Sequence, residues 1–174
     1  MFFQKIMQYF KAYWAILIIL GIAFSTSCEI NPLQKGNLAP DFKMPDLEKN
    51  IRQLSSYRGK IVMLHFWTDW CNACRKEFPL IQDLYVKIKQ KKPNFELLAI
   101  NVGQDERVSK QFQTDFEITF PMLIDKRAIS KELYQVKAFP TNYFINAEGR
   151  IIRKIVGWVT QKQVEVIVEQ NSKE

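Results

Sequence analysis

Two cysteines with two residues between them, Cys71-Asn-Ala-Cys74, follow an apolar run, Ile61-Val-Met-Leu-His-Phe-Trp67, by three residues. The residues after Cys71 read as the start of a helix. A sulfur at a helix N-terminus meets unpaired backbone N–H groups and the positive end of the dipole, and both favour the thiolate, the form that attacks disulfides. Cys74 lies one turn further on, within reach of Cys71, so the pair can cycle between dithiol and disulfide. The arrangement predicts thiol–disulfide exchange.

Two other readings of the pair are weighed against this one. Half of a structural zinc site needs two further Cys or His ligands. The chain contains three cysteines and one histidine, and the remaining two of these residues are Cys28, far upstream, and His65, inside the apolar run. Two sulfurs and one strand imidazole do not complete a tetrahedral site, so no metal is expected. Two inert core cysteines are the second alternative, which the exposure of a strand-to-helix turn disfavours.

The start of the chain sets the expected compartment. Lys5 and Lys11 precede an uncharged run from Ala12 to Cys28, whose apolar core extends from Trp14 to Phe24. A positive flank followed by an apolar core describes an export signal, and this core is short for a transmembrane helix of about 20 residues. The run closes on Phe24-Ser-Thr-Ser-Cys28. Small residues before a cysteine resemble a bacterial lipoprotein signal, in which that cysteine is lipidated, although Ser25 stands where such signals usually carry Leu. The alternatives are an uncleaved anchor that borrows Tyr9, Phe10 and Tyr13, or a cleaved, soluble form. All three place Cys71 and Cys74 outside the cytoplasm. Residues 1–28 are thus read as a signal peptide or membrane anchor, 29–38 as a tether and 39–174 as one domain.

The formal net charge of +7 is spread along the chain apart from a cluster at Lys87 to Lys92. That cluster reads as a favourable helix C-terminus and solvated face rather than a site for anionic lipid. No nucleic-acid partner is expected, because nothing else supports one and the export signal opposes it.

The elements that position the cysteines follow from pattern and punctuation. Ile61 to Trp67 and Phe95 to Val102 suit strands buried on both faces. Between them a helix from Asn72 toward Lys89 carries Phe78, Ile81, Leu84, Tyr85 and Ile88 at helical spacing, with a kink expected at Pro79. An edge segment is expected near Arg52 to Leu54, a helix opening at Asp105, a strand over Met122 to Ile124 and a helix over Ala128 to Tyr134. Thr141 to Ile145 and Ile151 to Val156 flank Asn146-Ala-Glu-Gly149 as a hairpin, and a closing helix runs from Thr160 to about Val168. The order predicts an α/β fold with a mixed central sheet flanked by helices.

The chain resembles the thioredoxin-like superfamily, and within it the exported TlpA and ResA type of disulfide reductase, related to the AhpC/TSA peroxiredoxins. The resemblance rests on Ala39-Pro-Asp-Phe42, on Phe66-Trp67-Thr-Asp-Trp70-Cys71-Asn-Ala-Cys74-Arg-Lys-Glu77-Phe-Pro79, on Phe139-Pro140-Thr141 and on Phe144-Ile-Asn-Ala-Glu-Gly149. It implies a thioredoxin-like fold in which Cys71 is the attacking thiol and Cys74 the resolving one, with Trp70 packed beside them. It implies a cis peptide before Pro140, with Phe139 against the disulfide and backbone groups offered to a substrate strand; the other reading is a trans-proline at a strand entrance. Glu77 matches a carboxylate associated with proton transfer, where the other reading is a first-turn glutamate favoured by the dipole. No bound cofactor is implied beyond the redox-active pair.

His65 departs from the pattern. Relatives carry Asp or Asn six residues before the attacking cysteine, below the resolving thiol. An imidazole there could accept the proton of Cys74 as a general base near neutral pH, or could be a core histidine satisfied by a backbone carbonyl. The linker Asn72-Ala73 departs from the Gly-Pro of thioredoxin and leaves the potential open between roughly −270 and −120 mV.

The resemblance implies as substrates exported proteins with paired cysteines, such as apocytochrome c, and as reductant a membrane electron donor of the DsbD or CcdA type. Rival readings are a thiol peroxidase and a copper chaperone. Thr68 lies three residues before Cys71 as in peroxiredoxins, but Leu64 stands where they place proline. A copper chaperone of the Sco type uses a three-residue spacer and a downstream histidine, and neither is present.

Overall fold

The seven residues Ile61–Trp67 are all buried and form β3, the central strand of a five-stranded sheet. The computed structural model describes residues 33–172. Strand β4 (Phe95–Val102) is likewise buried throughout and runs parallel to β3, and β5 (Met122–Asp125) runs parallel to β4. On the other side β6 (Thr141–Ile145) pairs antiparallel with β3, and β7 (Ile151–Val156) antiparallel with β6. The mixed sheet is the expected one. Double burial explains why β3 and β4 read as continuous apolar runs rather than alternating ones.

Alternate residues of β3 feed two different cores. Ile61, Met63 and Trp67 pack with Cys74, Phe78, Ile81, Leu84 and Ile88 of α1 (Asn72–Lys91) and with Val164, Ile167 and Val168 of α4 (Gln161–Asn171). Phe112 of α2 (Glu106–Asp115) joins this layer, its ring 4.4 Å from that of Trp67. Val62, Leu64 and Phe66 face the opposite layer with Phe42, Leu54, Tyr134 and Tyr143, near the short helix α3 (Ile129–Leu133). The helix α1 is continuous from Asn72 to Lys91 with Pro79 inside it. Its end is tied to β4 by Lys89, whose Nζ donates to the Phe95 carbonyl and Glu96 Oε2 at 2.7 and 3.0 Å. Thr160 caps α4 with a reciprocal Gln163 bond, a capping box that fixes where the helix begins.

Two features differ from expectation. The edge segment near Arg52 is one strand of a separate small hairpin, β1 (Lys43–Pro45) with β2 (Ile51–Gln53), followed by a 3₁₀ turn over Leu54–Tyr57. Residues 33–38, expected within a tether, are docked on the domain. Leu33 is buried, the Gly36 N–H donates to the Ile151 carbonyl at 2.8 Å, and Leu38 bridges Arg150. Cys28, the leader over residues 1–28 and the first part of the tether lie outside the described residues. Among the described residues no helix is long and apolar enough to cross a membrane.

Candidate active site

Strand β3 ends at Trp67, and a tight turn carries the chain into α1 with Cys71 as the N-cap residue. The Cys71 sulfur accepts the N–H of Cys74 at 3.1 Å, one of the backbone donors that a helix start leaves unpaired. Cys71 and Cys74 are joined in a disulfide with their Cα atoms 5.2 Å apart. Their surroundings are unequal: Cys71 retains 6% of its surface and Cys74 none. Of the two residues only Cys71 reaches the surface, and its thiolate would lie on the helix N-terminus. The geometry leaves Cys71 as the reachable member of the pair and Cys74 as the enclosed one.

The turn before Cys71 is held from two sides. Gln104, in the β4–α2 connection, accepts the Asp69 N–H at 3.0 Å and donates to the Asp69 carboxylate. Arg75 donates from Nε to the Asp69 carbonyl at 2.9 Å while its guanidinium covers the Phe112 ring at 4.6 Å. Trp70 projects outward, 68% exposed, with its ring nearly perpendicular to that of Phe139 at 5.6 Å. The Phe139-Pro140 peptide is cis, and Phe139 packs against the cluster that contains both cysteines. The structure thus brings Trp70, Cys71, Phe139 and Pro140 to one end of the sheet.

Glu77 lies three residues after Cys74 on the same buried stripe of α1 and is fully buried itself. Positions three apart on a helix are neighbours, about 5–6 Å between Cβ atoms. Its Oε1 accepts the Val159 N–H at 2.8 Å, and its Oε2 has no partner among the described residues. Burial raises its pKa to about 7, against the smaller lowering effect of the Val159 bond. Glu77 lies beyond the first turn of α1, so a first-turn glutamate favoured by the dipole does not describe this side chain. A carboxyl poised near neutrality can take or release a proton where two sulfurs exchange.

His65 is fully buried on the α1 side of the sheet, its ring edge-on to that of Phe78 at 5.4 Å. Its Nδ1 lies 2.8 Å from Asn142 Oδ1, the residue directly opposite it on β6. The partner is a side-chain amide rather than the backbone carbonyl considered from sequence. Burial lowers the imidazole pKa to about 4, with the Asn142 bond opposing weakly. Of the two readings open from sequence, a base titrating near neutral pH is not what this pocket makes; the imidazole is neutral there and the carboxyl of Glu77 is the group near pH 7.

Sequence reasoning did not find Asn142, Gly157, Trp158, Val159 or Gln104. Asn142 Nδ2 donates to the Gly157 carbonyl at 3.1 Å, and the Gly157 N–H donates to the Pro140 carbonyl at 2.7 Å. Trp158 is 44% exposed between them and Val159. Gly157 thus bonds to the imidazole network and the cis-proline, and Val159, two residues on, to Glu77. The only local signal was a glycine ending a strand. No group of three or more His, Cys, Asp or Glu among the described residues is arranged to hold a metal ion.

A dithiol–disulfide pair at a strand-to-helix turn, facing a cis-proline on a mixed five-stranded sheet, defines a thioredoxin-fold thiol–disulfide oxidoreductase. Residues 35–154 match the AhpC/TSA family, and the chain belongs to that family. It is 35% identical over 157 residues to the thiol-disulfide oxidoreductase ResA of Geobacillus kaustophilus, covering 87% of this chain and 89% of the relative. Among solved structures it is similar to a protein from Chlorobium tepidum described as a thiol:disulfide interchange protein DsbE, with a TM-score of 0.73 at 29% identity. That match covers 80% of this chain and 98% of the other. It is also similar to the exposed lipoprotein thioredoxin of Streptococcus pneumoniae, with a TM-score of 0.65 at 25% identity, covering 75% and 99% of the two chains.

Proposed function

We propose that this protein is an extracytoplasmic disulfide reductase for exported proteins with paired cysteines, such as apocytochrome c. The unequal exposure of the two disulfide-bonded cysteines carries the exchange mechanism. The Cys71 thiolate attacks a partner disulfide lying across Trp70 and Phe139-Pro140, and a mixed disulfide forms as the partner's other sulfur leaves. Cys74 then attacks Cys71, and the reduced partner departs. Glu77 holds the proton that the two sulfurs exchange, as its raised pKa suits it to do. A membrane electron donor of the DsbD or CcdA type returns the pair to the dithiol.

Location outside the cytoplasm is supported by the export-like pattern of residues 1–28 and by the lipoprotein named among the similar structures. Attachment through a lipid on Cys28 or through an uncleaved anchor fits the same pattern. The test is reduction of an oxidised Cys-x-x-Cys-His peptide by the reduced full-length chain. The reading expects stoichiometric peptide thiols, lost in Cys71→Ser and stalled at a mixed disulfide in Cys74→Ser. Consumption of hydrogen peroxide with the peptide untouched would instead establish a peroxidase.

A further inference from the structure

His65 Nε2 is a buried polar atom with no hydrogen-bond partner among the described residues. Such an atom is costly unless some state of the protein supplies its partner. Which proton state it has is decided by Asn142. The Asn142 amide donates from Nδ2 to the Gly157 carbonyl, which turns Oδ1 toward His65. An amide oxygen can only accept, so Nδ1 must carry the imidazole proton and Nε2 must carry the lone pair. The unfilled atom is an acceptor.

A donor for it arises when the disulfide is reduced. His65 follows Ile61 and Met63 and precedes Trp67 on the face of β3 covered by α1, in the layer that also contains Cys74. Its ring meets Phe78, which shares a stripe of α1 with Cys74 four residues earlier. Cys74 is fully buried, so the thiol proton it gains on reduction must find an acceptor within this layer.

We propose that Asn142 is a positioning residue for the exchange reaction: by holding His65 as the Nδ1–H tautomer it aims a lone pair at the Cys74 thiol. The proposal rests on the thiol-exchange reading above and deepens it. In the resolving step the Cys74 sulfur bonds to Cys71 Sγ, and the bond from Cys71 Sγ to the partner sulfur breaks with its electron pair on the partner. Nε2 accepts a hydrogen bond from the Cys74 thiol without taking its proton, which Glu77 relays to the departing partner thiolate, so the imidazole stays neutral throughout.

The chain has a single histidine, so ¹⁵N-histidine labelling of the full-length chain reports one imidazole. The expected result is a protonated Nδ1 and a bare Nε2 in the oxidised protein, with the Nε2 resonance moving as a hydrogen bond is accepted on reduction. Asn142→Thr and Asn142→Val separate position from packing, because both side chains suit a strand but only the threonine hydroxyl can accept from Nδ1–H and donate to Gly157. Val is expected to release the tautomer to Nε2–H and to slow breakdown of the mixed disulfide about three- to tenfold, the worth of one hydrogen bond. Thr is expected to restore both. A wild-type chain that exchanges disulfides but carries the proton on Nε2, or whose Nε2 does not respond to reduction, overturns the proposal alone. A wild-type chain that reduces no disulfide overturns the exchange reading and the proposal with it. If Asn142→Val does not fold, the wild-type and threonine spectra decide the matter.

Discussion

Glu77 Oε1 accepts the backbone N–H of Val159 at 2.8 Å, joining the helix that carries both cysteines to a loop 82 residues away. Two residues before Val159, the Gly157 carbonyl receives Asn142, and through it His65. The two buried titratable side chains of the site therefore hang from one three-residue loop, and their pKa shifts have opposite signs. Burial disfavours the anion of Glu77 and the cation of His65 alike.

The opposition predicts a compensated pH profile for the stability of the oxidised protein. The Glu77 pKa rises from 4.5 to about 7 on folding, so its contribution is present at low pH and lost as pH rises through that window. The His65 pKa falls from 6.5 to about 4, so its contribution is present above pH 6.5 and lost as pH falls toward 4. Each amounts to roughly 3 kcal/mol over its window. Denaturant unfolding should show these two slopes largely cancelling in the wild type. Glu77→Gln should leave stability that rises between pH 4 and 6.5, and His65→Asn stability that falls between pH 4.5 and 7.

The same carboxyl should govern the pH dependence of turnover. With Glu77 present, the rate of partner reduction should change slope near pH 7. Glu77→Gln should lower the rate at neutral pH and remove that inflection. An unchanged inflection in the variant would assign the proton to another group.

Contact with a protein substrate is predicted at the Trp70–Phe139 pair, whose rings meet at 5.6 Å beside the disulfide. Phe139→Ala should reduce kcat/KM for a disulfide-bonded protein by about three- to tenfold, the usual worth of an aromatic pair. A small aryl disulfide, which needs no strand-binding surface, should be reduced at nearly the wild-type rate.

How much of this was legible in the sequence depends on how local each determinant is. Cys71 and Cys74 were legible because a strand, a turn and a helix start are written in consecutive residues, and the mixed sheet followed from the order of strands, helices and the closing hairpin. The partner of His65 was not legible, since it is fixed by the β3–β6 register between residues 77 apart. Val159 acts through its backbone N–H, which no side chain advertises. The β1–β2 hairpin was half seen because its three-residue strands are too short to show a period. Residues 33–38 read as a tether because of their Gly and polar content, yet backbone bonds to β7 and the burial of Leu33 hold them to the domain.

Rigidity of the turn is a further prediction. Gln104 bonds to Asp69 twice and accepts from Asn101 Nδ2 at 3.1 Å, so Gln104→Ala leaves three polar groups to find new partners. A loss of about 1–2 kcal/mol is expected in denaturant unfolding.

The most direct test of the central claim is the reduction potential of the Cys71–Cys74 couple in the full-length chain, equilibrated in glutathione and dithiothreitol buffers and read by alkylation of those two cysteines. A reductase requires a potential below the glutathione range, near the roughly −270 mV of thioredoxin. A value near the roughly −120 mV of DsbA would make the protein an oxidase, and failure of the two cysteines to form their disulfide would contradict the exchange mechanism itself.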